Sequence, residues 1–435
     1  MRGRCHSIFA RDTLGWLAAR AGIRQGRSSR SGVLTQSRLQ LYGYAIATIY
    51  GAFLLSAYIA GDWIVDAKGV PFYTDFACEW VAAVEALRGH SALLYDPAKF
   101  VEIQAALVGP GADFGANWPY PPIFLLIMAP FAVLRYGYAF IAWDLTTLFG
   151  CIAVVYVITR NPAGIALFLA SPFTAWNFLA AQNGFLTTSL LGASLLFLEH
   201  RPVLAGVFIG TLAYKPQFGL LFPVALLAAR QWRAIASAAI TLALLAAASA
   251  ASFGSGVWVA FPREIFAQTS LNLLAGPDSQ WGYLQSVYGL VRTLHGGATL
   301  AWFSQALAAL GVATVVWFVW RSQLGFSLKA ATLSAAALLC TPYIFAYDMA
   351  AIAVPVAFLA RDQLRHGVLQ GELFTMTGLF GAPLLALLVF KDPPVGVTFG
   401  SLPIGPAAVV TLLGLILRRA LRRGSSPSSL AASAV

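Results

Sequence analysis

Charged side chains are scarce in this 435-residue sequence: Asp, Glu, Lys and Arg make up 10% of it, against 59% hydrophobic residues. A soluble domain carries about 25% charged residues. There is too little polar side chain here to cover a water-facing surface, so hydrocarbon is the expected solvent for most of the chain. Cysteine is scarce too. Cys5, Cys78, Cys151 and Cys340 are scattered without CxxC spacing, which argues against a disulfide framework or a cysteine metal site. Buried small apolar side chains are expected at Cys151 and Cys340. His90, His295 and His366 stand singly in loops without metal-ligand spacing, so solvated side chains are expected there. P-loop, GxSxG, HExxH and dinucleotide fingerprints are lacking. An ATP-driven pump is thereby disfavoured. No internal repeat is evident.

The charge that is present is unevenly placed. The net charge of +11 would suggest nucleic acid in a soluble protein, but eight arginines precede the first long apolar run, from Arg2 to Arg38, against the single acid Asp12. Arg418, Arg419, Arg422 and Arg423 follow the last run. Cytoplasmic flanks look like this under the positive-inside rule, and no nucleic-acid partner is expected. Residues 1–38 read as a basic, disordered cytoplasmic tail without the apolar core and cleavage site of a signal peptide. Residues 424–435 read as a second disordered tail, and 39–423 as the membrane domain.

Apolar stretches at 41–61, 119–134, 137–159, 162–181, 184–198, 202–229, 232–253, 299–320, 327–340, 342–360, 372–390 and 402–418 predict an all-α polytopic membrane protein with about 10–12 transmembrane helices. Alternation from a cytoplasmic N-terminus puts 62–118 and 254–298 outside as two large loops. Arg160 and Glu199–Arg201 resist this scheme. A repair makes 162–181 a re-entrant dip and splits 202–229 at Lys215–Pro216. In the first loop Phe76, Ala77, Trp80, Val81, Val84 and Leu87 recur at helical spacing, which predicts an amphipathic helix at the membrane interface; a second is expected over Pro97–Leu107. The loop 254–298 is rich in aromatic residues suited to interfacial contact.

With so few charges, each one at membrane depth needs a reason. Asp75, in Tyr73-Thr74-Asp75-Phe76, is a candidate functional carboxylate or, equally, a helix N-cap with Glu79 complementing the helix dipole. Asn117-Trp118-Pro119-Tyr120-Pro121-Pro122 reads as a helix start with an aromatic anchor. Gln182-Asn183-Gly184 reads as a turn. Lys215, beside Pro216 in a long apolar stretch, needs an anion or a water-filled cavity, although a snorkelling lysine is the bland alternative. Asp348, in Tyr343-Ile344-Phe345-Ala346-Tyr347-Asp348, opens a span on the same side as Asp75.

Taken in order, Tyr73–Phe76 through Gly89, Tyr95-Asp96, Tyr120-Pro121-Pro122, Gln182-Asn183-Gly184 and Lys215-Pro216 resemble glycosyltransferase family 87, over roughly residues 45–360. The resemblance implies a C-type membrane glycosyltransferase fold in the cell (inner) membrane. It also implies a polyprenyl-phosphate sugar, mannose or a related hexose, as donor and a lipid or glycan hydroxyl as acceptor. No cofactor is expected, no residue is singled out as a metal ligand, and the sequence does not give the metal requirement. At the matching positions it implies Asp75 as catalytic base. Lys215 is expected on the donor phosphate, with Tyr120, Gln182, Asn183, Tyr347 and Asp348 as substrate-binding residues. Where the family often has Gly-Gln, this chain has Ala181-Gln182. The rival reading is a secondary transporter or lipid flippase, which predicts a repeat and a midplane site.

Overall fold

A computed structural model describes residues 36–72, 74–109, 118–269, 284–389 and 403–424. Among these the secondary structure is helical, with only isolated bridges such as Leu284 to Phe345. In chain order the α-helices are α1 (Gln36–Ala60), α2 (Asp75–Leu87), α3 (Pro97–Val108), α4 (Ile123–Ala132), α5 (Tyr136–Thr159) and α6 (Pro162–Leu169). They continue as α7 (Pro172–Ala180), α8 (Gly184–Leu198), α9 (Pro202–Thr211), α10 (Phe222–Ala228), α11 (Trp232–Phe253) and α12 (Val257–Thr269). The last six are α13 (Val287–Thr293), α14 (Ala298–Arg321), α15 (Phe326–Cys340), α16 (Ala353–His366), α17 (Glu372–Val389) and α18 (Gly405–Gly424). The protein is an all-α, multi-pass membrane protein.

Proline sets many of the breaks, because a proline at the first helical turn loses no intrahelical bond. Pro97, Pro162, Pro172 and Pro202 each open a helix. Asp96 and Asn161 cap two of these, accepting from the backbone N–H of Lys99 at 3.2 Å and Ala163 at 2.9 Å.

Long and short helices divide the labour. By length and composition α1, α5, α11 and α14 can each cross a membrane, while α6 and α7 form a pair bent by 61°. The long helices leave large apolar side chains uncovered, among them Ile49 and Phe53 on α1, Ile240 and Leu244 on α11, and Phe303 and Leu310 on α14. Such surfaces suit lipid. The short helices α8 and α15 are buried on nearly every face. Gly206 and Gly210 let α9 lie directly on α11, since a Cβ at either would meet Ser237 or Thr241 within 2.6 Å. Small residues four apart are a common device for close helix contact in membranes.

The path between the two ends differs from simple alternation. Segment 119–134 does not cross. Tyr120 lies in the site described below, yet the Leu134 carbonyl accepts from Trp80 Nε1 on α2 at 3.2 Å, and the Tyr136 hydroxyl donates to the Phe72 carbonyl at 3.0 Å. So α4 begins and ends near the same face. The crossing α5 then carries Arg160 to the opposite end, where Arg160, Glu199, Arg361 and Arg365 interact electrostatically. The bent pair α6–α7 returns to the site at Gln182, and α8 leads back to Glu199. The expected re-entrant dip at 162–181 is therefore corrected: the non-crossing segment is 119–134, because its ten-residue helix is too short to span. The split of 202–229 at Lys215–Pro216 is as expected, with two short 3₁₀ turns, Leu212–Tyr214 and Pro216–Phe218, between α9 and α10.

At the end opposite the site, Arg419 on α18 is buried and donates through Nε to Asp362 at 2.8 Å and through Nη1 to Glu372 at 3.1 Å. Arg423 joins Asp362 at 2.8 Å. This network locks α16, α17 and α18 together. The first helix begins at Gln36, so Gln36–Arg38 belong to it rather than to the tail; residues 1–35 and 425–435 lie outside the described residues.

Candidate active site

Four separated segments meet at one end of the bundle. The first is α2, whose apolar face packs inward: Phe76 lies 5.3 Å from the Phe140 ring and 5.7 Å from that of Tyr136. Both amphipathic helices expected in the first loop are present, as α2 and α3. Asp75 is the first residue of α2, and Thr74 holds the cap position without a side-chain capping bond. The capping reading of Asp75 is thus not what the structure shows.

The second segment precedes α4. Tyr95 donates to the Tyr120 carbonyl at 2.9 Å, and Trp118 Nε1 donates to the Tyr95 hydroxyl at 3.2 Å, which fixes Tyr120. Trp118 is fully buried and stacks on Phe124, so it is a core residue rather than an interfacial anchor. Asn117 and Tyr73 lie outside the described residues.

The third is the Gln182-Asn183-Gly184 turn before α8. Ala181 has φ +46°, in the left-handed region that favours glycine. The Trp143 indole pins its carbonyl at 2.9 Å. Gly184 is demanded by close approach: a Cβ there would stand 2.4 Å from the Tyr347 carbonyl and from Asn177 Oδ1. The fourth is Tyr347–Ile352, a 3₁₀ turn carrying Asp348.

Lys215 joins these pieces. Its Nζ donates to Asp348 Oδ1 at 2.5 Å and to Asn183 Oδ1 at 2.7 Å, and lies 5.0 Å from the Tyr347 ring centroid. Only 4% of Lys215 and none of Asp348 is exposed. The snorkelling alternative is therefore corrected, because the ammonium points into a buried ion pair. Asp348 Oδ2 accepts from the Phe345 N–H at 3.1 Å. Asn183 Nδ2 donates to the Tyr120 hydroxyl at 2.6 Å and to Glu79 Oε1 at 2.7 Å. Gln182 presents its Oε1 to the Asn183 N–H at 3.0 Å and donates from its side chain to Asp75.

Asp75 stands apart in one respect. It is exposed, yet the protein around it is dense enough that desolvation is the largest influence on its carboxyl group and raises its pKa. The Gln182 hydrogen bond and the Lys215 charge pull the other way, and the Asp348 charge adds to the rise. An exposed carboxylate that the surrounding protein keeps more basic than usual can accept a proton from a hydroxyl that reaches it.

All seven residues singled out from the sequence fall in this cluster. The sequence alone did not single out Glu79, whose side chain is buried against Asn183. Its spacing of four residues from Asp75 was the available signal, since it puts both on one helix face. Tyr214, whose hydroxyl donates to the Asn183 carbonyl at 3.1 Å, is a second supporting residue of this kind. Two lone histidines have partners: His90 Nδ1 lies 2.8 Å from Glu85 Oε2, and His366 Nδ1 lies 3.4 Å from Asp362 Oδ1.

The helical multi-pass fold thus gathers an exposed carboxylate and a buried lysine at one end of the bundle. The profile of glycosyltransferase family 87 matches residues 118–342, just over half of the chain. The protein belongs to glycosyltransferase family 87 and is a membrane glycosyltransferase. The matched stretch holds Tyr120, Gln182, Asn183 and Lys215, while Asp75, Tyr347 and Asp348 flank it. No curated protein and no solved structure matches the chain.

Proposed function

We propose that this glycosyltransferase moves a hexose, mannose or a close relative, from a polyprenyl-phosphate carrier to a hydroxyl of a lipid or glycan acceptor at the outer face of the cell membrane. The observation that carries the reading is the exposed Asp75 carboxylate beside a buried Lys215. In this reading Asp75 takes the proton of the acceptor hydroxyl, and the freed oxygen bonds to the anomeric carbon. The bond from that carbon to the phosphate oxygen breaks, and the phosphate leaves with the electron pair. Lys215 has three ammonium protons. Two are held by Asp348 and Asn183, and the third meets the charge that grows on the leaving phosphate. Tyr120, Gln182, Asn183, Tyr347 and Asp348 shape the sugar and acceptor sites. A lipid-borne donor also accounts for a family member built almost wholly of apolar helices.

The basic end around Arg361, Arg365, Arg419 and Arg423 supports a cytoplasmic placement for the face opposite the site. The test is transfer from a labelled polyprenyl-phosphate hexose by purified protein. Asp75→Asn is expected to lower turnover by at least about a hundredfold, the usual range for loss of a general base. Undiminished transfer by the folded variant would reject Asp75.

A further inference from the structure

Asp75 and Glu79 lie one helical turn apart on α2, so both carboxyl groups leave on one face. They differ sharply in surroundings. Asp75 is exposed, whereas Glu79 is 1% exposed. Glu79 Oε1 accepts from Asn183 Nδ2 at 2.7 Å, while its Oε2 is buried with no hydrogen-bond partner. The Asn183 amide has two ends. Its NH₂ faces Glu79 and Tyr120, and its oxygen faces the Lys215 ammonium at 2.7 Å. Turned over, the amide would point NH₂ at an ammonium, donor against donor. Glu79 is thus one of two acceptors that keep the Asn183 oxygen toward Lys215, and Lys215 in turn holds Asp348.

We infer that Glu79 is a positioning residue for the transfer reaction, acting through the Asn183 amide to hold the Lys215 ammonium in register with the reacting phosphate. This rests on the reading of the site given under Proposed function.

The protonation state follows from the company Glu79 keeps. The groups facing it are Asp75 and Cys78 from its own helix, Tyr120 from the segment before α4, Tyr214 and Lys215 from the helix break, and Tyr347 from the Asp348 turn. Burial pushes the Glu79 carboxyl up to about 8, with Asn183, Lys215 and Tyr120 opposing and Asp75 adding to the rise. At neutral pH Glu79 is mostly a neutral acid. That limits the site to two carboxylates, Asp75 and Asp348, against one lysine. Ionised, Glu79 would add a third negative charge where an anionic donor must bind. A neutral glutamic acid and a glutamine offer Asn183 the same carbonyl.

The experiment compares wild type, Glu79→Gln, Glu79→Leu and Asp75→Asn for turnover and KM against pH, with thermal unfolding of each in detergent. Wild type is expected to lose turnover as pH rises through about 8, and Glu79→Gln to keep turnover within about threefold without that fall. Glu79→Leu strips the amide of an acceptor and is expected to lose about tenfold or more in turnover, with KM little changed. The inference is overturned if Glu79→Gln is as damaging as Glu79→Leu. It is also overturned if Glu79→Leu is fully active, or if the alkaline fall persists in Glu79→Gln. Asp75→Asn separates the two readings: full activity there removes the base mechanism itself. An inactive Asp75→Asn beside a fully active Glu79→Leu removes only the role of Glu79.

Discussion

Replacing Lys215 by methionine would leave Asp348 as a wholly buried carboxylate with one remaining bond, from the Phe345 N–H. Replacing Asp348 by leucine would leave the ammonium with only Asn183 as a hydrogen-bond acceptor and two aromatic rings nearby. Breaking a buried ion pair from one side costs about 3–5 kcal/mol, because the surviving charge stays in a medium that solvates it poorly. The 2.5 Å contact and the near-zero exposure of both partners place this pair in that class. Replacing both partners by apolar residues of similar size is often neutral or stabilising. Each single variant is therefore expected to lose about 3–5 kcal/mol, and Lys215→Met/Asp348→Leu to be more stable than either. Equilibrium unfolding of the four proteins in one detergent measures the cycle. Transfer assays alongside should find all three variants inactive, since the double variant recovers the fold without recovering the cation. If the double variant loses the sum of the single losses to within about 0.5 kcal/mol, the pair is not coupled as described.

Asp75 has a raised pKa, so its contribution to stability is present below the ordinary carboxylate range and lost as pH rises through its folded value. Asp75→Asn should therefore melt at or above the wild-type temperature at neutral pH while failing in transfer, and a lower melting temperature would contradict this. Wild-type transfer should decline on acidification with a midpoint above that of an ordinary aspartate, read from turnover against pH. Gly184→Ala drives a methyl group into the Tyr347 carbonyl and should cost about 1–3 kcal/mol, seen in thermal unfolding, with turnover reduced because Asp348 moves with that turn. Ala181→Gly relieves a left-handed alanine and should gain up to about 1 kcal/mol with activity retained.

Much of this site could be read in the sequence because lipid makes charge expensive. A lysine beside a proline in the middle of 202–229, and an aspartate opening an amphipathic helix, stand out against an apolar background, and the two converge. The helical wheel of α2 was equally legible, but its polar side was misleading. Periodicity separates two faces and does not say what each one meets. Glu79 looks solvated on the wheel, whereas the structure turns that face toward Asn183. Trp118 was obscure for a related reason. An aromatic residue at the edge of an apolar run serves as an anchor or as core according to what folds over it, and here Tyr95 does. The path through 119–201 needed contacts that no local pattern holds, such as Trp80 with Leu134. Asp144 is a further case: an acid in the middle of an apolar run, it is wholly buried on α5 and neither carboxylate oxygen has a hydrogen-bond partner.

The Arg419 network bears on what truncation would do. Asp362 and Glu372 take their buried positions on α16 and α17, but the arginine that neutralises both lies 57 and 47 residues further along the chain. A chain cut short before Arg419 would keep Asp362 and Glu372 but lose the one guanidinium that reaches both, so α16 and α17 would have no clamp to the last helix.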